Sequence, residues 1–252
     1  MTEWHDTLAA EVAENDRRLP SQAWRLVFWG DSITMRWRKD WHVDKWGALP
    51  PPEGRGFETP YDVFVASFGR YQPHSLGVGS DQTANLWWQL QHGLLPQQNH
   101  PEVAVVMIGT NDIGFLDGCS RWEADDLAAV PGISSRIRHS AALLRRAMPN
   151  TDIVLLGVLP RGGWTLGDDI YQWPNRLTVP IAAVNNATQA LARLDDRMHY
   201  LDCGAGLINA GGSGDAYADT CKHPDTTSAA ARSFMDRMAA AAAVTKEDLQ
   251  DI

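Results

Sequence analysis

Three short polar turns hold the residues of this 252-residue chain whose types and spacing suit chemistry. Gly30, Asp31 and Ser32 form the first, Gly77 to Asp81 the second, and Gly109 to Asp112 the third. Each follows a brief apolar run that reads as a buried strand. A serine that leaves a strand and enters a helix is a candidate nucleophile, because a helix start stabilises developing negative charge. A glycine in the next turn lets a backbone N–H approach a substrate oxygen with no Cβ in the way. An asparagine in the third supplies a side-chain N–H to the same oxygen. The backbones of Ser32 and Gly79 with the side chain of Asn111 would then form an oxyanion hole. Taken singly, each piece is ordinary: these are common turn residues, and an asparagine often caps the next segment. Their order, each at the end of a different strand, points to acyl chemistry.

Such a serine needs a base, and the chain has eight histidines. His5 lies in the N-terminal segment, and His42, His92 and His139 fall on helix interiors or ends. His74, His100 and His199 come before strands, at the wrong edge of a parallel sheet. His223 remains, between the last strand and the last helix, with Asp219 four residues upstream. Pro224 disfavours a helical conformation at His223 and keeps it in the loop. On local evidence alone, a solvent-exposed loop histidine is an equal reading.

The elements that must position these residues follow from periodicity. Residues 3–19 suggest a surface helix with Leu8, Val12 and Leu19 as its apolar positions. Residues 25–30 read as a strand, followed by a helical stretch with Trp37 and Trp41 and a Pro/Gly-rich loop over 47–60. Residues 63–68 and 75–78 are both strand-like, and 84–95 reads as a helix. Strands at 103–108, 153–156 and 199–202 alternate with helices at 134–148, 179–194 and 226–243. Buried strands alternating with amphipathic helices imply a parallel sheet covered on both faces. The expected fold is a flavodoxin-like three-layer α/β/α sandwich, one domain over 1–252 with a short N-terminal helical extension at about 1–22.

Composition sets the exclusions. The chain carries 22 Lys+Arg against 31 Asp+Glu, a net charge of −9. That balance argues against nucleic acid or an anionic membrane as the main partner, since both demand a basic face. No apolar run approaches the ~20 residues of a membrane span. The N-terminus lacks the layout of a secretory signal, so a cytoplasmic location is expected. Cys119, Cys203 and Cys221 give neither a disulfide framework nor a zinc site. Cys203 and Cys221 would pair only in an exported chain. Eight of the 11 tryptophans fall in the first 88 residues. Trp29, Trp37, Trp41 and Trp46 would line a sugar- or aryl-binding face, or, as the commoner fate of indole, fill the core.

The ordered blocks VFWGDS (27–32), LGVGSDQT (76–83) with WQL (88–90), VMIGTN (106–111) and VLLGVLPRG (154–162) resemble those of the SGNH (GDSL-type) hydrolases. The similarity is greatest to the branch of the platelet-activating-factor acetylhydrolase catalytic subunits and related bacterial esterases. It covers residues 25–240, with an apparent insertion around 47–73. The family's four block residues map onto Ser32, Gly79, Asn111 and His223. The resemblance implies hydrolysis of carboxylic esters, commonly deacetylation, by a Ser-His-Asp triad without metal or cofactor. The implied substrate is a small ester: an acetylated sugar, a lipid or an aryl ester. The family places its acid three residues before the histidine, where this chain has Thr220, and Asp219 lies one residue further. Either a bulge delivers Asp219 to His223, or the pair works as a Ser-His dyad. A non-catalytic carbohydrate- or protein-binding module on the same fold, and an acyltransferase, are the competing readings. Oligomeric state has no sequence signal here.

Overall fold

Three apolar runs, buried along nearly their whole length, form the centre of a five-stranded sheet, with half-buried positions in the two edge strands. A computed structural model describes residues 2–38, 60–114, 125–161 and 177–204. The strands are β1 (Leu26–Gly30), β2 (Pro73–Gly77), β3 (Val103–Met107), β4 (Asp152–Leu156) and β5 (Met198–Leu201). All pair in parallel, in the order β2-β1-β3-β4-β5. This is the flavodoxin-like order, with its switch point between β1 and β3.

Successive side chains go to opposite faces. Val27, Trp29, Val106, Ile153 and Leu155 join a core that includes Leu8, Val12, Leu86, Leu90, Ile137, Leu144 and Val184. These come from helices α1 (Thr2–Arg17), α4 (Thr83–Gln91), α6 (Asp125–Ala147) and α7 (Thr178–Ala192). Leu26, Phe28, Val105, Met107, Val154 and Leu156 enter a second core with Val63, Phe64 and Phe68 of α3 (Pro60–Phe68). Two short helices, α2 (Ser32–Met35) and α5 (Thr110–Gly114), follow β1 and β3 directly. The fold is the expected three-layer α/β/α arrangement.

Two local expectations fail. Residues 63–68 form part of helix α3, not a strand. A strand would put Val63 and Val65 on one face, yet Val63 is buried and Val65 is 40% exposed. Helical spacing puts Phe64 and Phe68 together, both against Phe28 at ring separations of 5.3 and 5.4 Å. Pro60 in the first turn favours the helix start. The helical stretch expected through Trp37 ends at Met35 instead. Trp37 N–H donates to Thr34 O at 3.1 Å and Arg38 N–H to Met35 O at 3.2 Å, tight turns that carry Trp37 into the second core. Helix α6 starts at Asp125, earlier than expected, with Pro131 inside it. Trp41, Trp46, the 47–59 part of the loop and the 226–243 helix lie outside the described residues. Among the described residues, no helix is long and apolar enough to cross a membrane.

Candidate active site

Parallel pairing brings the strand ends into one plane. Gly30 at the end of β1 stands beside Gly77 of β2 on one side and Met107 of β3 on the other. The three polar turns therefore open at the same edge of the sheet. Helix α2 sits directly on that edge: a Cβ at Gly77 would collide with the backbone of Met35, Asp31 and Thr34. Glycine at this position is a packing requirement.

Ser32 is the first residue of α2, and Asp31 caps it by accepting Ile33 N–H at 2.9 Å on Oδ1. Asp31 is fully buried, and its second oxygen has no hydrogen-bond partner among the described residues. Burial pushes its carboxyl up to about 7, against the opposing pull of Ile33 N–H and the Arg161 charge. The second turn is tied to the first by Val78 N–H donating to Gly30 O at 3.0 Å. Gly79 follows, and Ser80 has a positive φ of 65°. The turn closes with Asp81 N–H donating to Val78 O at 3.3 Å.

Asn111 lies in α5 with its side chain buried and Nδ2 donating to Asp81 O at 2.8 Å. An amide carries two Nδ2 hydrogens, so one is left for a substrate oxygen. Around it the third turn is braced from three sides. Asp112 accepts Thr83 N–H at 2.8 Å and Thr83 Oγ1 at 2.6 Å, and pairs with Arg136 at 3.2 Å. Arg136 Nε also donates to Thr83 Oγ1 at 2.7 Å, and Arg161 donates to Thr110 O at 2.9 Å. Asp81 accepts Gln89 Nε2 at 2.6 Å. Burial, with the Asp31 charge adding to it, pushes Asp81 up to about 7.

The structure thus gathers the turns of Ser32, Gly79 and Asn111 at one edge. His223, Asp219, Thr220 and Cys221 lie outside the described residues. Two of the histidines set aside on sequence grounds, His74 and His199, lie within strands. His74 lies near the start of β2, stacked on Trp24 at 3.7 Å and bonded to Glu11 at 2.9 Å. His199 lies in β5, 3.7 Å from Asp152. Trp29 and Trp37 are buried in the two cores, so neither offers a sugar-binding face. Sequence reasoning did not assign the Asp112–Thr83–Arg136 brace, the Asp81–Gln89 bond or the Arg161 contact. Thr83, Gln89 and Arg161 nevertheless stand inside the blocks quoted above.

A flavodoxin-like sheet that carries serine, glycine and asparagine on successive strand-end turns is the framework of the SGNH hydrolase superfamily. The chain belongs to the GDSL-like lipase/acylhydrolase family, whose sequence profile matches residues 28–231. It is 27% identical over 152 residues to the platelet-activating factor acetylhydrolase IB subunit alpha1 of Bos taurus, covering 60% of this chain and 56% of that one. The match thus spans little more than half the length of that relative. Two solved structures share the fold. A GDSL-like lipase from Bacteroides thetaiotaomicron aligns with a TM-score of 0.60 at 15% identity, over 98% of this chain and 97% of that chain. An acetyl xylan esterase aligns with a TM-score of 0.59 at 16% identity, over 86% and 98%.

Proposed function

We propose that the chain is a serine esterase that cleaves short-chain esters, acetyl esters first, through an acyl-enzyme. Ser32 Oγ attacks the acyl carbonyl while His223 takes its proton, and Asp219 holds the imidazole in the productive tautomer. The tetrahedral oxyanion accepts from the backbone N–H groups of Ser32 and Gly79 and from Asn111 Nδ2. His223 then protonates the departing alkoxide. Water, deprotonated by the same histidine, releases the acid and frees Ser32. The observation that carries this reading is Asn111, braced by Asp81 O with one N–H to spare at the edge where Ser32 begins α2. The acetyl preference draws on the named activities of the relatives, acetylhydrolase and acetyl xylan esterase.

The test is a panel of p-nitrophenyl esters of increasing acyl length, run beside an acetylated polysaccharide. Turnover should be greatest for acetate. Ser32→Ala should lose on the order of 10³-fold or more with its fold intact. A fluorophosphonate should label wild type at Ser32 alone. Labelling of Ser80 instead, or an active Ser32→Ala protein, overturns the nucleophile. No turnover of any ester supports a binding module on this fold. Asp219→Asn against Thr220→Ala separates triad from dyad: the triad expects a loss of about 10²–10⁴-fold from the first alone.

A further inference from the structure

Helix α1 lies outside the span that matches the family, yet it is bonded to the edge strand β2 and to the segment that leads into β3. Near its C-terminal end Asp16 accepts the backbone N–H groups of Gln97, Gln98 and Asn99 at 2.7, 3.0 and 3.0 Å, just ahead of β3. At its middle Glu11 holds Arg38 at 2.7 and 2.8 Å and His74 at 2.9 Å. Arg38 donates onward to Ser75 O at 2.9 Å, and its guanidinium lies 5.1 Å over the Trp4 ring. Near the N-terminal end Trp4 Nε1–H donates to Gly77 O at 3.3 Å.

These contacts are in register. From Trp4 to Glu11 the helix advances seven residues, ~10.5 Å. From Gly77 back to His74 the strand spans three residues, ~10 Å. Helix α1 therefore runs antiparallel to β2 and in step with it. Strand β2 is an edge of the sheet, and Ser75 and Gly77 share its parity, so both carbonyls point the same way. Arg38 and Trp4 each supply one of them with a donor.

We infer that Trp4 is a positioning residue for the oxyanion hole: its indole N–H anchors the Gly77 carbonyl and thereby sets where Gly79 presents its own N–H. The inference rests on the reading of Gly79 as an oxyanion donor. With glycines at both 77 and 79, the turn takes its stiffness from what surrounds it: the Val78 to Gly30 and Asp81 to Val78 backbone bonds, the packing of α2, and Trp4. An oxyanion donor acts through preorganisation, and a misplacement of about 1 Å can cost about 10²-fold. An anchor on the first carbonyl of the turn adds to that stiffness from outside the family's matched span.

Trp4→Phe keeps an aromatic ring and removes the N–H. Asp16→Ala loosens the opposite end of the same helix, far from the turn. Both are compared with wild type for kcat and KM on p-nitrophenyl acetate, for Tm, and for amide hydrogen exchange across residues 76–81. Trp4→Phe should lower kcat about tenfold with KM within about twofold, and should speed exchange in the turn. Asp16→Ala should lower Tm at least as much yet hold kcat within about twofold. Unchanged exchange in Trp4→Phe overturns the inference. Faster exchange without loss of kcat in an active enzyme also overturns it, as does a kcat loss that tracks Tm in both variants. Should wild type cleave no ester, the esterase reading falls, and the exchange measurement alone decides whether Trp4 holds the turn.

Discussion

Asn111 commits one amide hydrogen to Asp81 O at 2.8 Å, and that bond aims the other. In the proposed oxyanion hole, a donor held this way would cost no reorganisation when charge develops, and so would contribute more to the transition state than to substrate binding. Asn111→Ala should therefore lower kcat by about 10²–10³-fold with little change in KM, read by steady-state kinetics on an acetyl ester. A rise in KM at constant kcat would assign Asn111 to ground-state binding instead. Residue type and order marked Ser32, Gly79 and Asn111 as candidates, because each follows its own strand end. Their supports were not legible in the same way. Trp4 meets Gly77 across 73 residues and Arg161 meets Thr110 across 51, and no local pattern encodes such a meeting. Asp31 is an intermediate case: its capping position is local, while the burial that raises its pKa depends on the whole sheet.

Among the elements, the central strands β1, β3 and β4 were the most legible, because burial on both faces makes them almost continuously apolar. Helix α3 was not, since Val63, Phe64 and Val65 favour strands in isolation. Packing of Phe64 and Phe68 on Phe28 overrides that preference. Helix α2 is the element on which the site depends most, a single turn clamped between β1 and β2. Gly77→Ala tests that clamp. Its Cβ would meet backbone atoms, which cannot swing away as a flexible side chain would. The substitution should cost about 1–3 kcal/mol of stability by urea unfolding, with loss of most esterase activity at temperatures where the variant stays folded. Gly69 offers the contrast, because its nearest neighbour would be Val65 Cγ1 at 3.5 Å, an ordinary contact. Gly69→Ala should leave both stability and activity near wild type. Equal damage from the two substitutions would show that close approach of α2 is not what Gly77 provides.

Taken as a whole, the molecule carries a net charge of −9 and buries three carboxyls beside the candidate site, Asp31, Asp81 and Asp112, of which Asp112 is paired with Arg136. Asp31 and Asp81 are each pushed up to about 7, chiefly by burial. A carboxyl whose folded pKa lies above its unfolded value, about 4, gives its full stabilisation below that value. The contribution is lost as pH rises through about 7. Glu11 has the opposite sign. Burial opposes its ionisation, but bonds from His74 and Arg38 and their charges outweigh it and hold the carboxyl at about 2. Its contribution is present above about pH 4.5 and is lost as pH falls through about 2. Burial holds the His74 pKa down, so His74 removes stability below its unfolded value of about 6.5. Because these terms overlap, the aspartates are best isolated by difference. Asp31→Asn keeps an oxygen for Ile33 N–H and removes the buried charge. The stability of the variant relative to wild type should then rise between about pH 5 and about pH 8, by on the order of 1–4 kcal/mol. Adding Asp81→Asn should flatten the remaining slope, since burial raises the Asp81 carboxyl even without the Asp31 charge. Urea unfolding at the two pH values gives the answer. An Asp31→Asn difference that stays constant across that interval would mean that Asp31 does not titrate there, and that the buried carboxyl beside Ser32 is already ionised at about pH 5.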